Sequence, residues 1–274
     1  MEPRLQRRVQ RYGWNRAAEY YEDLWREQIE PAQSMLLSLV DLTGGQDVAD
    51  IACGSGLVTF PAADRVGRNG SVIGTDLSED MIRVADKAAE DRDLKNVSFR
   101  RMGAESLDLP DQSFDAVLCS LGLMYFPDPL VSMREMYRVS KPGATTAVAV
   151  WGDRKHCGWA DIFPVVDARV NSDVCPMFFG LGTGGALKFT FEEAGFSAVE
   201  IVRISTVLHY QSAEEACMAA FAGGPVALAY SRFDEETREG AHAEYLESIE
   251  PYRVDDSYEI PGEFVLGVGR RTAA

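Results

Sequence analysis

The stretch VADIACGSG, Val48 to Gly56, decides how the chain is read: residues suited to a buried strand run into a turn of small residues, and helical apolar spacing follows from Gly56 to Val66. The small residues let the backbone turn sharply and approach a ligand closely, and the helix beyond them offers unpaired N–H groups to an anion. Outward from this unit the alternation repeats. Short apolar runs recur at Asp47 to Ile51, Ser71 to Gly74, Val97 to Phe99, Phe114 to Cys119 and Thr145 to Trp151, with helical spacing at Glu79 to Asp91 and Pro129 to Val139 between them. Strand and helix in this rhythm predict an α/β fold, a doubly wound and mostly parallel sheet with right-handed crossovers. Such sheets bind ligands at the carboxyl ends of their strands, so the loops after residues 51, 76, 102, 120 and 151 are expected to meet at one crevice.

The flanks read differently. The first 35 residues have helical spacing through Trp14, Ala17, Ala18, Tyr21 and Trp25. Lys141, Pro142 and Gly143 read as the stop and turn before the last strand of the regular set. Beyond Trp151 the spacing predicts a helix over Trp159 to Val170, an irregular run from Cys175 through Pro176 to Gly180, and a helix ending at Gly195. A strand over Val199 to Tyr210, a helical stretch over 212–249 and a strand over Phe264 to Gly267 complete the reading. The expected organisation is one domain, 1–274, with a helical lid over 1–44, a core over 45–151 and a substrate-side region with an insertion over 152–274.

Composition narrows the function. The 274 residues are 46% hydrophobic and 26% charged, as in an ordinary globular chain. Lys and Arg number 27 against 43 Asp and Glu, and the formal charge of -16 repels a polyanion, so no nucleic-acid partner is expected. Most of the net negative charge lies in residues 191–263, whereas Arg4, Arg7, Arg8 and Arg11 make the amino-terminal end basic. Five cysteines without a CxxC pair indicate neither a disulfide framework nor a metal site and fit a reducing compartment. No apolar run is long enough for a membrane span, and a soluble, cytoplasmic chain is expected. No residue pattern speaks to an oligomeric state.

The glycine loop then limits the ligand. A dinucleotide fingerprint needs GxGxxG, but the position three beyond Gly56 is Thr59 and that two before Gly54 is Ala52. Asp50, at the end of the first strand, is also awkward for a pyrophosphate. It suits a zwitterion such as the methionine end of S-adenosylmethionine, whose ammonium it could hold while the helix N-terminus attracts the carboxylate. Twenty residues after Gly56, Asp76 ends the second strand, where a carboxylate accepts from both ribose hydroxyls of either cofactor.

With VADIACGSG, the stretches IGTDLSEDMI (Ile73 to Ile82), FRRMGAESLDLPDQSFDAVLCSLGLMYFPDP (Phe99 to Pro129) and SKPGATTAVAVW (Ser140 to Trp151) resemble the class I S-adenosylmethionine-dependent methyltransferases. The branch they are most similar to is that of the ubiquinone and menaquinone biosynthesis methyltransferases. The resemblance covers residues 45–151 and implies a Rossmann-like, seven-stranded sheet and S-adenosylmethionine as cofactor. It places Asp50, Ala52, Gly54, Ser55 and Gly56 near the methionine end, and Asp76 on the ribose. Gly103 and Ala104 then flank adenine, Leu77 and Met81 are its apolar neighbours, and Ser120 opens the loop beside the methyl donor. Two departures stand out. Ala52 replaces the first glycine of the pattern, and Gly103 replaces an aspartate that contacts the adenine amino group, leaving Glu105 as a candidate for that role.

A sulfonium methyl is already activated, and alignment with an acceptor can supply about 7–11 kcal/mol of the barrier. A general base helps only an acceptor that must lose a proton. Candidates for catalysis are His156, just past the fifth strand, and Tyr125; His209 and His242 read as structural. Tyr20, Tyr21 and Trp25 near the amino terminus, Met124, Tyr125 and Phe126 after the fourth strand, and Phe178 and Phe179 in the insertion are candidate walls of an apolar acceptor chamber. Cys157 and Cys175 read as inert buried thiols rather than a thiolate site. The weighed alternatives are a nucleic-acid methyltransferase, a protein that binds S-adenosylmethionine without turnover, and a nicotinamide oxidoreductase.

Overall fold

In a computed structural model, residues 2–170, 175 and 177–272 are described; Pro176 of the irregular run lies outside them. Two helices lead, α1 (Pro3–Ala17) and α2 (Tyr21–Leu39). The regular set follows: β1 (Asp47–Ile51), α3 (Thr59–Val66), β2 (Ser71–Asp76), α4 (Glu79–Asp91), β3 (Val97–Arg101), β4 (Phe114–Ser120), α5 (Pro129–Val139) and β5 (Ser140–Trp151). Then come α6 (Ile162–Asp167), α7 (Ala186–Glu193), β6 (Ser197–Tyr210), α8 (Ala213–Cys217), α9 (Ala227–Tyr230), α10 (Glu235–Ile249), β7 (Arg253–Val254) and β8 (Ser257–Arg270).

The strands form one sheet in the order β3-β2-β1-β4-β5-β8-β6, with the short β7 paired to β8. The first five strands are mutually parallel, and β8 runs antiparallel between β5 and β6. β1 and β4 are buried almost throughout because helices cover both faces of a parallel sheet. The chain builds outward from β1 to β3 and then returns to place β4 on the other side of β1. That reversal opens a crevice between the carboxyl ends of β1 and β4, the switch point of a doubly wound sheet.

Local chemistry sets the helix starts. Ser78 caps α4 by accepting from the Met81 N–H, and Asp128 caps α5 by accepting from the Val131 N–H, with Pro129 in the first turn. Four elements depart from the sequence reading. The helix expected from Gly56 begins at Thr59, because Gly56 has φ +94°, outside any helix. The amino-terminal helical stretch divides at Ala18–Tyr20 into α1 and α2, and the helix expected over 159–170 contracts to α6. The stretch over 212–249 breaks at Gly223, Gly224 and Pro225, two flexible residues and one that cannot donate a backbone hydrogen bond.

The sheet is also longer than expected. Lys141, Pro142 and Gly143, read as a turn, lie inside β5, where pairing with β4 skips from Ser140 to Thr145 as a bulge around Gly143 (φ +82°). Pro261 and Gly262 look like breakers but sit within β8, opposite Val207 and Thr206 of β6. Among the described residues no helix is long and apolar enough to cross a membrane.

Candidate active site

The loop after β1 holds left-handed residues at three alternate positions, Ala52 (φ 57°), Gly54 (φ 55°) and Gly56 (φ 94°). Asp76, at the end of β2, holds this loop. Its Oδ2 accepts from the Gly54 N–H at 3.0 Å and its Oδ1 from the Ser78 N–H at 2.8 Å. Burial raises the Asp76 carboxyl above its ordinary range, partly opposed by the N–H groups of Ser78, Gly54 and Leu77. Asp50 lies beneath the loop at 1% exposure. Thr59 donates to its Oδ2 at 2.6 Å, while Oδ1 has no partner. Burial, opposed by Thr59 and reinforced by the charge of Asp76, pushes Asp50 up to about 7.

Ala52 is the residue read as a departure from glycine, and its left-handed backbone gives that reading a physical cost of about 1–2 kcal/mol. Gly122 makes room for it: a Cβ added at Gly122 would stand 2.5 Å from the Ala52 Cβ. Gly122→Ala should therefore destabilise the fold by about 1–3 kcal/mol through overpacking. Adding Ala52→Gly should recover most of the loss in thermal unfolding, and additive losses would mean that the two positions do not oppose each other.

Above the loop lies an outer cavity of about 740 Å³. Its floor is Ile51, Ala52 and Gly54, and one side is Thr75, Asp76, Leu77 and Met81. Met102, Gly103, Ala104 and Glu105 form the end wall, while Ser120, Leu121, Gly122 and Tyr125 line the side at β4. Arg7, Gln10 and Trp14 of α1 close the top. Buried polar atoms without a hydrogen-bond partner gather here: Gln10 Oε1, Glu105 Oε1 and Ser120 Oγ in the walls, Ser55 Oγ in the loop and Asp50 Oδ1 beneath it. Each such atom costs about 1–3 kcal/mol if nothing reaches it, so their concentration fits a polar ligand. Glu105 stands over Gly103, its Oε2 3.5 Å from where a Cβ at 103 would be, and Arg7 Nε lies 3.9 Å from its Oε1.

A second, inner cavity of about 470 Å³ shares Trp14, Tyr21, Leu121 and Tyr125 with the outer one. Its deeper wall is apolar, from Trp25, Ile29, Trp151, Trp159, Ile162 and Phe178. Ala220, Gly224 and Pro225 complete it. Residues Met218–Ala222 form a π-helical turn, and Trp25 Nε1 donates to the Ala219 carbonyl at 3.2 Å. Trp14 stacks edge-on against both Tyr21 and Tyr125, with ring centroids 5.7 and 5.2 Å apart. Helix α1 is tied down by Gln6 Nε2 donating to the Tyr125 carbonyl at 3.3 Å and by Ser78 Oγ donating to Asn15 Oδ1 at 2.7 Å.

The expected residues therefore separate into groups. Ala52, Gly54, Asp76, Leu77, Met81, Gly103, Ala104, Glu105 and Ser120 line the outer cavity, while Asp50, Ser55 and Gly56 support it without lining it. Tyr21 and Tyr125 border both cavities, Trp25 and Phe178 the inner one, and Phe126 the outer. Tyr20 is 40% exposed, Met124 is buried without reaching a cavity, and Phe179 stands behind the wall against Trp159 and Phe178. Sequence reasoning passed over Trp14, Leu121, Trp151 and Trp159 as wall residues, and Arg7 and Gln10 as the roof. Only Gln10 carries a signal, a polar side chain on the buried face of an amphipathic helix.

His156 lines neither cavity. It sits in a short turn after β5 with Nδ1 3.1 Å from Glu263 Oε1, and Glu263 Oε2 accepts from Arg203 Nη1 at 2.9 Å and the Asp153 N–H at 3.0 Å. Burial raises Glu263, but Asp153, His156 and Arg203 together bring it below its ordinary value. The cluster ties the end of β5 to β8. Tyr125, by contrast, is at the junction, and burial raises its phenol far enough to keep it protonated, a donor rather than a base. Burial also pushes Cys157 and Cys175 up to about 12, so neither presents a thiolate. Among the described residues no three His, Cys, Asp or Glu side chains gather as metal ligands.

Residues 48–143 match the family model described as a methyltransferase domain. Over 127 residues the chain is 35% identical to a demethylmenaquinone methyltransferase of Listeria welshimeri, covering 46% of this chain and 54% of that one. Over 122 residues it is 40% identical to the nocamycin O-methyltransferase of Saccharothrix syringae, covering 44% of each. The chain thus spans about half the length of the curated relatives it matches. Phosphoethanolamine N-methyltransferase 2 of Haemonchus contortus, solved with S-adenosyl-L-methionine, superposes with a TM-score of 0.62 at 16% identity. That superposition covers 95% of this chain and 57% of the other, a likeness of fold.

Proposed function

From the match of residues 48–143 to a methyltransferase domain, we propose that the protein transfers the methyl group of S-adenosylmethionine to a small, partly apolar molecule. The observation that carries this is the meeting of two cavities of opposite character. The outer one gathers unpaired buried polar atoms, the inner one is walled by aromatic rings, and Trp14, Tyr21, Leu121 and Tyr125 belong to both.

The residues present fit the cofactor. Asp50 Oδ1 is a buried carboxylate oxygen without a partner, suited to an ammonium group, with the Gly54 to Gly56 turn beside it. Asp76 keeps acceptor capacity beyond its backbone donors and suits ribose hydroxyls. Leu77, Met81, Gly103 and Ala104 offer an apolar slot for adenine, and the Glu105 carboxylate, whose Oε2 stands over Gly103 and whose Oε1 has no hydrogen-bond partner, takes the place of the absent side chain there. When bound, S-adenosylmethionine supplies an activated methyl on a cationic sulfur.

The chain's own work is positioning and exclusion of water. Helix α1 roofs the outer cavity as a lid, and the protonated Tyr21 and Tyr125 flank the junction where donor and acceptor would face each other. Among its described residues the inner wall holds no His, Asp, Glu, Lys or Arg, and what it supplies is proximity. The demethylmenaquinone and nocamycin enzymes are relatives whose names also point to small-molecule acceptors. A nucleic-acid substrate fits poorly with the charge of -16 and with the apolar inner wall. Five free cysteines suit a cytoplasmic setting.

Incubation with methyl-labelled S-adenosylmethionine and a cell extract tests the proposal. Label is expected in a small organic-extractable product. Label in RNA, DNA or protein would replace the substrate class, and failure to bind either S-adenosylmethionine or S-adenosylhomocysteine at micromolar concentration would end the methyl-transfer reading.

A further inference from the structure

The inner cavity contains one feature that an apolar wall does not explain. Trp159 is 5% exposed, lines that cavity, and its Nε1 is buried with no hydrogen-bond partner. A buried indole N–H ordinarily finds an acceptor, and Trp25 in the same wall does so through Ala219. Trp159 is also fixed in place. The Gly158 N–H donates to the Pro261 carbonyl at 2.8 Å, and the Trp159 carbonyl accepts from the Ile162 N–H at 3.2 Å. Gly158 permits this approach, since a Cβ there would stand 2.5 Å from the Tyr252 ring. The indole is packed by Trp151, Phe178 and Phe179, at centroid distances of 4.8, 5.5 and 5.7 Å.

Resting on the methyl-transfer reading, we infer that Trp159 is a specificity-determining residue: its indole N–H donates to a carbonyl oxygen of an uncharged aromatic acceptor held in the inner cavity. Three observations define that ligand. The wall is aromatic, its described residues include no charged side chain, and its orphan polar atom is a donor. Trp159 lies outside the outer cavity, so the oxygen it holds is at the end of the acceptor away from the cofactor. The carbonyl is thus a handle that turns the opposite edge of the ring system toward Tyr21 and Tyr125, and is not the methylated atom.

The test compares 1-tetralone with 1-methylenetetralin, which differ by oxygen against methylene, in titrations of the full chain with S-adenosylhomocysteine present. The wild type should bind 1-tetralone about five- to tenfold more tightly, the scale of one hydrogen bond. Trp159→Phe should remove that preference while leaving S-adenosylhomocysteine affinity unchanged. In nitrogen-15 spectra of the wild type, 1-tetralone should move the assigned Trp159 indole N–H resonance much further than 1-methylenetetralin does; this reads the hydrogen bond even if the variant fails to fold. Equal binding of the two probes, binding of neither, or a preference that survives Trp159→Phe would overturn the assignment. Loss of S-adenosylhomocysteine binding in the wild type would instead strike the methyl-transfer reading, with the probe comparison still deciding the role of Trp159.

Discussion

Asp76→Ala should weaken S-adenosylhomocysteine binding by about 1.5–3 kcal/mol, roughly 10- to 150-fold, the scale of a hydrogen bond to a charged group. The expected loss has two sources. The carboxylate faces the outer cavity, where the proposal places ribose hydroxyls, and it also holds the Gly54 and Ser78 N–H groups that shape the loop and the start of α4. Asp76→Asn separates the two. The amide can still accept one backbone N–H, so the loop should be largely retained while the ionic part of the ligand contact is lost. Calorimetry on both variants, with thermal unfolding alongside, reads the two effects. Unchanged affinity in Asp76→Ala would remove Asp76 from the ribose.

The second large effect concerns pH. Asp50 has an ordinary value of 3.8 and is pushed up to about 7 in the fold by burial. An unfolded chain releases this proton as pH rises past about 4, whereas the folded protein retains it until about 7. The protonated group therefore favours the fold fully below about pH 4, and that stability is lost progressively as pH climbs to about 7, by about 4 kcal/mol. Ligand binding should move the other way. An ammonium group prefers the ionised carboxylate, so S-adenosylhomocysteine affinity should rise toward pH 7, up to about tenfold per unit, and then level. Urea unfolding and calorimetry between pH 5 and 8 on the wild type and on Asp50→Asn isolate the contribution, since other shifted carboxylates such as Asp115 and Glu135 are common to both. Identical pH slopes in the two proteins would show that Asp50 does not titrate in this window.

The legible part of the site is the part built from short segments. Asp50, Gly54, Gly56 and Asp76 lie within 27 residues of one another on two strands that pair directly, Ile51 opposite Thr75. Backbone demands show there in residue type, because a left-handed turn and a close approach admit few side chains. Even the odd residue, Ala52, was visible as a departure, although its tolerance through the missing side chain of Gly122 was not. His156 shows the opposite case. Its place after β5 suggested the crevice, but a contact with Glu263, more than 100 residues later, holds it off both cavities. The extent of β8 around Pro261 and Gly262, which creates that pairing, is not a local property.

By itself, the sequence determined the parallel core, the strand order of its motifs along the chain and the polar groups around the glycine loop, because period and turn chemistry act over a few residues. The tertiary structure alone decided the acceptor side. Trp14, Trp25, Trp151, Trp159 and Phe178 come from segments far apart, and the same residue types would serve equally in a core. Only packing distinguishes a ring that fills space from one that borders it, and only the folded surroundings leave the Trp159 N–H without a partner while supplying one to Trp25.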